Sequence, residues 1–177
     1  MPDVRRRDLG WLALAAGIGA IVGLAWAQWA PRDVLKIVNG VAVPDGMQSE
    51  AYIASDGIAV LLLLAAGLLL TLALVLRWRA RPLVVLLLGL ASGAVGSIVF
   101  WIIAASVHAA ELAAFPTTLI PGSHPLAPLT IRMPAVYLAW PFAAALVAAV
   151  QALALWAMER PEPSGESSTS APGATIS

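Results

Sequence analysis

Cysteine is absent from this 177-residue chain. Its absence excludes disulfide bonds, thiolate zinc sites, cysteine nucleophiles and palmitoylation. Charge is also scarce, because Asp, Glu, Lys and Arg make up only 11% of the residues, against about 25% in soluble domains. A water-soluble globule is therefore not expected. Ten Lys and Arg residues balance ten Asp and Glu residues, so no basic surface favours nucleic-acid binding.

The short motifs of the common enzyme classes are missing as well. The sequence contains no GxSxG motif, no P-loop, no GxGxxG and no HExxH, which are patterns that place nucleophiles, phosphates, dinucleotides and zinc. No pair of acidic residues has a spacing that favours acid–base catalysis. We therefore expect no catalytic residues, no resident cofactor and no metal site.

Long apolar segments dominate what is present. Four of them, at about residues 9–30, 57–76, 82–107 and 133–158, contain no Asp, Glu, Lys, Arg or His. At about 1.5 Å per residue, each can cross a hydrocarbon core of about 30 Å as a helix. The sequence predicts an all-α membrane protein with four transmembrane helices, and it offers no charged pathway through them.

The two ends of the chain differ from this core. Residues 1–8 form a short N-terminal segment, and residues 159–177 are rich in Pro, Ser, Gly and Glu. The latter segment has too few apolar residues to fold by itself and is predicted to be a disordered tail. Arg5–Arg7, the first apolar segment and Ala25–Ala27 also resemble a signal peptide. We favour an uncleaved helix, because the segment is longer than a signal h-region, but the alternative stays open.

Residues at the helix ends carry local signals. Asp56, or alternatively Ser55, is predicted to cap the second helix, because an anion is favoured beside exposed N–H groups. Pro141 is predicted to kink or loosen the fourth helix. Trp26 and Trp29 are predicted to lie at the membrane interface, which amphipathic rings favour.

The distribution of positive charge predicts the orientation. Loops that face the cytoplasm carry an excess of Lys and Arg. With both termini inside, the cytoplasmic residues are Arg5, Arg6, Arg7, Arg77, Arg79, Arg81 and Arg160, and the outer ones are Arg32, Lys36 and Arg132. The sequence therefore predicts a multi-pass plasma-membrane protein with both termini in the cytoplasm and the first and third loops outside.

Small residues recur every four positions on two of the predicted helices. The first helix carries Ala15, Gly19, Gly23 and Ala27, and the third carries Gly89, Gly93 and Ser97 with Gly96 beside them. Such stripes lie on one helix face and let two backbones approach closely. They indicate either an oligomer interface or packing of the first helix on the third, and we favour the second interpretation.

The first outer loop contains a hairpin signal. Asn39-Gly40 lies between Val34–Val38 and Val41–Val43, and this dipeptide suits a type I′ turn, which needs positive φ at both central positions. Alternation places Leu35 and Ile37 on one face of the strand. A two-stranded hairpin is marginal alone, so we expect it to lie on the helix ends as a lid or to recognise a partner.

Few polar residues are candidates for a site. His108, Glu111 and His124 form a speculative polar cluster in the outer loop, and the first two are one helical turn apart. They could hold a metal, but solvated side chains are the interpretation we favour. Within the helices, the polar residues Thr71, Ser92, Ser97 and Gln151 are expected to hydrogen-bond either to another helix or to the backbone carbonyl at position i−4.

Two further segments are distinctive, Glu50-Ala-Tyr-Ile-Ala-Ser-Asp-Gly57 and Met133-Pro-Ala-Val-Tyr-Leu-Ala-Trp-Pro141. They resemble a family of small four-span actinobacterial membrane proteins of unknown function. The resemblance covers about residues 9–158. It implies the four-helix architecture and an actinobacterial source, and it implies no reaction and no site residues.

The sequence thus supports two functional hypotheses. The first is a non-enzymatic accessory or structural subunit in cell-envelope biology, which contacts the lipid bilayer and another membrane or envelope protein. The second is a small transporter or lipid-handling protein, which would need a polar cavity or a groove between helices.

Overall fold

The computed structural model describes residues 2–39, 41–44, 50–79, 81–116, 120 and 122–158. Within them the elements are, in chain order, helix α1 (Pro2–Trp29), strands β1 (Leu35–Val38) and β2 (Val41–Pro44), helices α2 (Ala51–Arg77) and α3 (Pro82–Ala114), a 3₁₀ helix (Pro134–Leu138) and helix α4 (Ala139–Met158). The predicted tail, residues 159–177, lies outside the described residues.

Four helices in the described part of the chain are long and apolar enough to cross a membrane, over Leu9–Trp29, Ile53–Arg77, Pro82–Ala114 and Pro134–Met158. Many of their large apolar side chains are exposed, including Leu61, Leu69 and Leu87. A soluble protein would not leave so many such side chains in water. The protein is therefore a multi-pass membrane protein whose outer surface contacts the lipid bilayer, and the predicted fold class is confirmed.

The helices form a bundle in which α3 contacts all three others. Around the bundle the order is α1, α3, α4, α2, and α1 and α4 share no contact within the described residues. At one end, here called the link end, the rings of Trp11 and Trp78 lie 5.9 Å apart, and Gln151 Nε2 donates to the Arg79 carbonyl at 2.9 Å. The opposite end, here called the hairpin end, carries β1, β2 and the α3–α4 loop.

Two helices reach further at the hairpin end than predicted. Helix α2 begins at Ala51, and its N-cap residue is Glu50, which makes no side-chain capping bond. The expectation that Asp56 or Ser55 caps this helix is therefore wrong, since both lie inside it. Helix α3 continues to Ala114, so it includes His108 and Glu111 rather than ending ahead of them.

Pro141 does not kink the middle of a helix. Residues Pro134–Leu138 form the 3₁₀ helix, and α4 starts at Ala139. Pro141 thus lies in the first turn of α4, where the N–H that proline lacks has no partner in a regular helix anyway. The change from 3₁₀ to α geometry falls just ahead of this proline, so the predicted irregularity exists but at the helix start.

The predicted hairpin is present. Strands β1 and β2 pair antiparallel, with Val38 opposite Val41 and Lys36 opposite Val43. Asn39 has a φ of 52°, the left-handed value that a type I′ turn needs, and Asn tolerates it better than most residues. Gly40 lies outside the described residues.

The other edge of β1 is also paired. The α3–α4 loop runs along it, with Leu35 N–H donating to the Pro125 carbonyl and Ile37 N–H to the Ser123 carbonyl. Ala127 N–H donates to Asp33 at the start of this ladder. The two predicted outer loops therefore form one layer over the hairpin end of the bundle, and this pairing was not predicted.

The glycine stripes have two different neighbours. A Cβ on Gly19 would meet the carbonyl oxygen of Gly96, and one on Gly23 would meet Ile103 at 2.8 Å, so these positions bring α1 close to α3. A Cβ on Gly93 would instead lie 3.0 Å from the backbone nitrogen of Pro141 in α4. The predicted packing of the small-residue stripe of the third helix on the first helix therefore does not hold at Gly93, because α4 is its neighbour.

Trp140 is the reason that α3 is so rich in glycine near its middle. A Cβ on Gly96 would meet the six-membered ring of Trp140, and one on Gly67 of α2 would lie 2.7 Å from Trp140 Cδ1. The Trp140 side chain is fully buried. Glycines on α2 and α3 therefore leave the space that this indole fills. Gly89 lies further along the stripe, where a Cβ would be 3.2 Å from Ala144.

Trp26 and Trp29 have opposite environments. Trp29 is exposed, as an interfacial ring would be, whereas Trp26 is fully buried. Its Nε1 donates to the Ser55 carbonyl of α2 at 3.1 Å, and its ring packs edge-on against Phe100 of α3 at 6.0 Å. The expectation of an interfacial Trp26 is wrong, because this side chain joins three helices in the core.

Candidate functional site

The polar residues of the hairpin end lie where the outer layer meets the bundle. Glu111, in the last turns of α3, accepts a hydrogen bond from Arg32 Nη2 at 2.8 Å and another from the Leu129 N–H at 2.6 Å. Both members of this ion pair are partly exposed, so it contributes about 1 kcal/mol or less. The backbone bond adds a link to the α3–α4 loop.

His108 lies one turn before Glu111 and contacts the same loop residue. Its Nδ1 is 2.8 Å from the Leu129 carbonyl oxygen and donates to it. Leu129 is thereby held through its N–H by Glu111 and through its carbonyl by His108. A neutral His108 then carries its proton on Nδ1 and presents Nε2 as an acceptor.

The third member of the predicted cluster, His124, follows Ser123 in the loop that pairs with β1. No group of three or more His, Cys, Asp or Glu side chains in the described part of the chain is close enough to hold a metal. His108 and Glu111 instead bind the backbone carbonyl and N–H of Leu129, and they thereby position the α3–α4 loop.

Asp56 is a buried acidic residue that sequence reasoning assigned to another task. It is 2% exposed, and its carboxylate accepts hydrogen bonds from the N–H of Met133 at 3.0 Å and from the N–H of Arg132 at 3.3 Å. These N–H groups precede the 3₁₀ helix, so Asp56 binds the start of the fourth membrane segment. Asp56 is 76 positions from Arg132 and 77 from Met133 in the sequence, and no local pattern could have shown this contact.

The outer layer is thus fixed to the bundle at several points. Arg32 holds the segment after α1, Leu129 is held by α3, and Asp56 of α2 holds the segment before α4. A buried hydrogen bond to a charged group contributes about 1.5–3 kcal/mol. The polar side chains of the hairpin end therefore position the outer layer and join it to the helices.

The hairpin presents an apolar face away from the bundle. Ile37 is 2% exposed, whereas Val41 is 59% exposed, and this follows the period-2 alternation of side chains along a strand. We name the exposed set the valine face; it consists of Val34, Val38, Val41 and Val43. Lys36 lies opposite Val43 on the same side of the hairpin. Four exposed valines together are typical of an interaction surface.

The edge of β2 that faces away from β1 pairs with no other strand among the described residues, and it is poorly suited to adding one. Val38 and Val41 flank the two-residue turn, so they form the hydrogen-bonded pair, and Ala42 and Pro44 direct their backbone groups away from β1. Pro44 has no N–H, which leaves one outward donor on this edge, from Ala42. Proline on an edge strand prevents pairing with another chain.

Apart from Asp56 at the hairpin end, the buried polar side chains of the described helices are few and uncharged. Gln151 Nε2 donates to the carbonyl oxygens of Arg79 and Trp78 at 2.9 and 3.3 Å, so it joins α4 to the α2–α3 link. The side-chain hydroxyls of Thr71, Ser92 and Ser97 and Nε1 of Trp140 are buried and have no partner within the described residues. Only the Gln151 contact matches the expected hydrogen bonds between elements.

Comparisons of the chain with protein-family models, with curated proteins and with solved structures found no match. The architecture is supported by the four apolar helices. The resemblance to the actinobacterial four-span family stays a prediction.

Proposed function

We propose that this protein is a non-enzymatic accessory subunit of the plasma membrane that binds a partner membrane or envelope protein through its valine face. The observation that carries this proposal is an exposed apolar surface on a layer that hydrogen bonds and an ion pair attach to the helices. The resemblance to small four-span actinobacterial proteins is compatible with a role in the cell envelope.

Attachment to the helices favours partner binding, because a surface that is already ordered loses less conformational entropy in a complex. The β1 strand is held on both edges, by β2 and by the α3–α4 loop. The loop is held in turn by Glu111 and His108. The valine face is therefore presented in one orientation.

In this proposal the side chains of the valine face, rather than the backbone of β2, contact the partner protein. Strand addition at β2 would need outward N–H groups, and Pro44 removes one of them. Valines in contact with a partner gain free energy by leaving water, at about 25 cal/mol per Å² of apolar area. Lys36 at the border of the face favours a partner with an acidic group nearby.

The orientation belongs to the same proposal. Arg77, Arg79 and Arg81 cluster at the link end, which we assign to the cytoplasm by the positive-inside rule. The valine face then lies outside the cell, where it meets envelope proteins or the outer portions of other membrane proteins.

Site-specific crosslinking tests the proposal. Because the chain has no native cysteine, only the introduced thiol of this protein reacts. Val41→Cys and Ala42→Cys are neighbours on β2 whose side chains point to opposite faces. In native membranes a thiol-reactive crosslinker at residue 41 should give one discrete adduct with a second protein, and a crosslinker at residue 42 should not. Val41→Asp in the chain that carries Val43→Cys should abolish the adduct, because a carboxylate in an apolar contact is strongly unfavourable.

Two results would contradict the accessory role. The first is an adduct of equal yield from both positions, which would indicate random collision. The second is the loss of a proton or potassium gradient when the purified protein is placed in liposomes, because the helices then contain a pathway. In that case the transporter hypothesis becomes primary, with Thr71, Ser92, Ser97 and Gln151 as the first positions to change.

A further inference from the structure

Two clefts meet on one flank of the bundle, between α3 and the segment that leads into α4. The lower cleft has a volume of about 380 Å³, and Ala94, Ser97 and Ile98 of α3 line it opposite Pro141. The upper cleft has a volume of about 160 Å³, and its lining includes His108 and Thr130. Both clefts are bordered by Trp101 and Tyr137, so they are adjacent, and we call the two together the groove.

The groove has a defined depth in the membrane. Helix α3 has 33 residues and is about 50 Å long, so it exceeds a hydrocarbon core of about 30 Å. If the core begins at Pro82, it ends near Trp101, and Trp and Tyr side chains prefer this level. The lower cleft then lies among acyl chains and the upper cleft among headgroups.

The lower cleft is mostly apolar, and the polar side-chain atoms of its lining residues belong to Ser97, Trp101 and Tyr137. Ser97 is 5% exposed, and its hydroxyl has no hydrogen-bond partner in the described part of the chain. A buried hydroxyl without a partner is unfavourable by about 1–3 kcal/mol. If the Ser97 side chain turns toward the cleft, a ligand with a carbonyl oxygen at this depth accepts its hydrogen bond and removes that cost.

The polar side chains of the upper cleft include His108 and Thr130. His108 Nδ1 donates to the Leu129 carbonyl oxygen, so a neutral His108 offers Nε2 as an acceptor, and the Thr130 hydroxyl can donate or accept. Among the described residues that line either cleft, none is Lys or Arg. Phosphate groups are usually bound by such cations, so this cleft favours uncharged hydroxyl groups.

We propose that the groove binds one membrane glycerolipid with an uncharged, hydroxyl-rich headgroup, from the leaflet at the hairpin end. One acyl chain lies along Ala94, Ile98 and Pro141, and an ester carbonyl accepts a hydrogen bond from Ser97. The headgroup hydroxyls contact His108 and Thr130. From Ala94 to His108 the groove is about 21 Å long, which fits a headgroup and part of one chain. This binding site is independent of the valine face and of the accessory role.

Photolabelling of the full chain in lipid nanodiscs tests the proposal. The probe is a glucosyl diacylglycerol with a diazirine on one acyl chain, and labelled peptides are identified by mass spectrometry. We expect labels on residues 94–105 and 134–141. Ala94→Trp should lower this labelling about tenfold, because an indole in the lower cleft displaces the chain at a cost near 1.4 kcal/mol. Ala91→Trp is the matched control, since both alanines are exposed on α3 and Ala91 does not line the cleft.

The headgroup is tested with a phosphatidylglycerol probe that carries the same photoactive chain. Weaker labelling by this probe supports the assignment, and equal labelling overturns it. Labelling that Ala94→Trp leaves unchanged overturns the groove itself. If Ala94→Trp does not fold, competition on the unaltered chain replaces it: unlabelled glucosyl diacylglycerol should suppress the groove labels, and failure to do so overturns the proposal.

Discussion

At the scale of single residues, Asp56 shows how much a buried carboxylate can organise. It is the acceptor for two backbone N–H groups at the start of the fourth membrane segment. Water and lipid headgroups are kept away by its burial, so no alternative partner can replace it. The residue thereby joins α2 to a segment that is remote in sequence.

Asp56→Ala should lower the free energy of unfolding by about 1.5–3 kcal/mol, because the N–H groups of Arg132 and Met133 lose a charged acceptor. Glu50→Ala is the control; Glu50 is exposed and makes no capping bond, so a change within about 0.5 kcal/mol is expected. Thermal unfolding in detergent measures both variants. Equal losses would show that the Asp56 contacts do not stabilise the fold.

The site residues were only partly predictable from sequence. His108 and Glu111 could be selected because they are the chemically versatile residues beside an apolar helix, and one turn separates them. Their common task of holding Leu129 was not visible, since Leu129 carries no sequence signal. Asp56 was noticed for its position near a helix start, and the cap inferred from that position was wrong because the helix begins earlier.

At the scale of elements, glycines decide which helices pack together. Gly19 of α1 lies against the backbone of Gly96, which in turn leaves space for the Trp140 ring. One glycine therefore serves two contacts, with α1 on one side and α4 on the other. Close backbone approach replaces the hydrophobic effect as the cause of association in a bilayer.

Gly19→Ala should destabilise the bundle by about 1–3 kcal/mol, since its methyl group meets a carbonyl oxygen that cannot move unless the helices separate. Gly17→Ala, on the same helix, is the matched control: nothing lies within 4 Å of a Cβ there. It should be neutral or stabilising by up to about 1 kcal/mol, because alanine favours the helix. Unfolding in detergent measures the pair, and the reverse order of stabilities would contradict the packing of α1 on α3.

Elements with local causes were predicted well. The helices follow from continuous apolar segments, and the hairpin follows from Asn39-Gly40, whose positive φ at Asn39 is a property of the turn itself. The loop that pairs with the other edge of β1 was missed, because its Pro-rich sequence lacks the alternation of a strand. Helix neighbours were predicted only in part, since a small-residue stripe reveals a contact face and not its partner.

At the scale of the whole molecule, the two ends of the bundle differ in charge and in shape. The link end is short and carries Arg77, Arg79 and Arg81, whereas the hairpin end carries a folded layer with an ion pair between Arg32 and Glu111. This asymmetry supports the proposed orientation, because Lys and Arg near helix ends are retained on the cytoplasmic side.

Labelling of single cysteines on intact cells measures the orientation. Val41→Cys should react with a membrane-impermeant maleimide, and Ser167→Cys should react only after the membrane is permeabilised. No native cysteine contributes background. Reaction at residue 167 in intact cells, with protection at residue 41, would reverse the assignment and place the valine face in the cytoplasm.

The double pairing of β1 has a consequence for the order of assembly during synthesis. Strand β1 ends at Val38, but the segment on its second edge begins at Gly122. At about 5–20 residues per second, a ribosome needs roughly 4–17 s to make the chain between them. The hairpin therefore emerges long before the α3–α4 loop that pairs with β1, and α2 and α3 must enter the bilayer during that delay. A chaperone or a translocation factor that meets this nascent chain would encounter the hairpin with one edge still open.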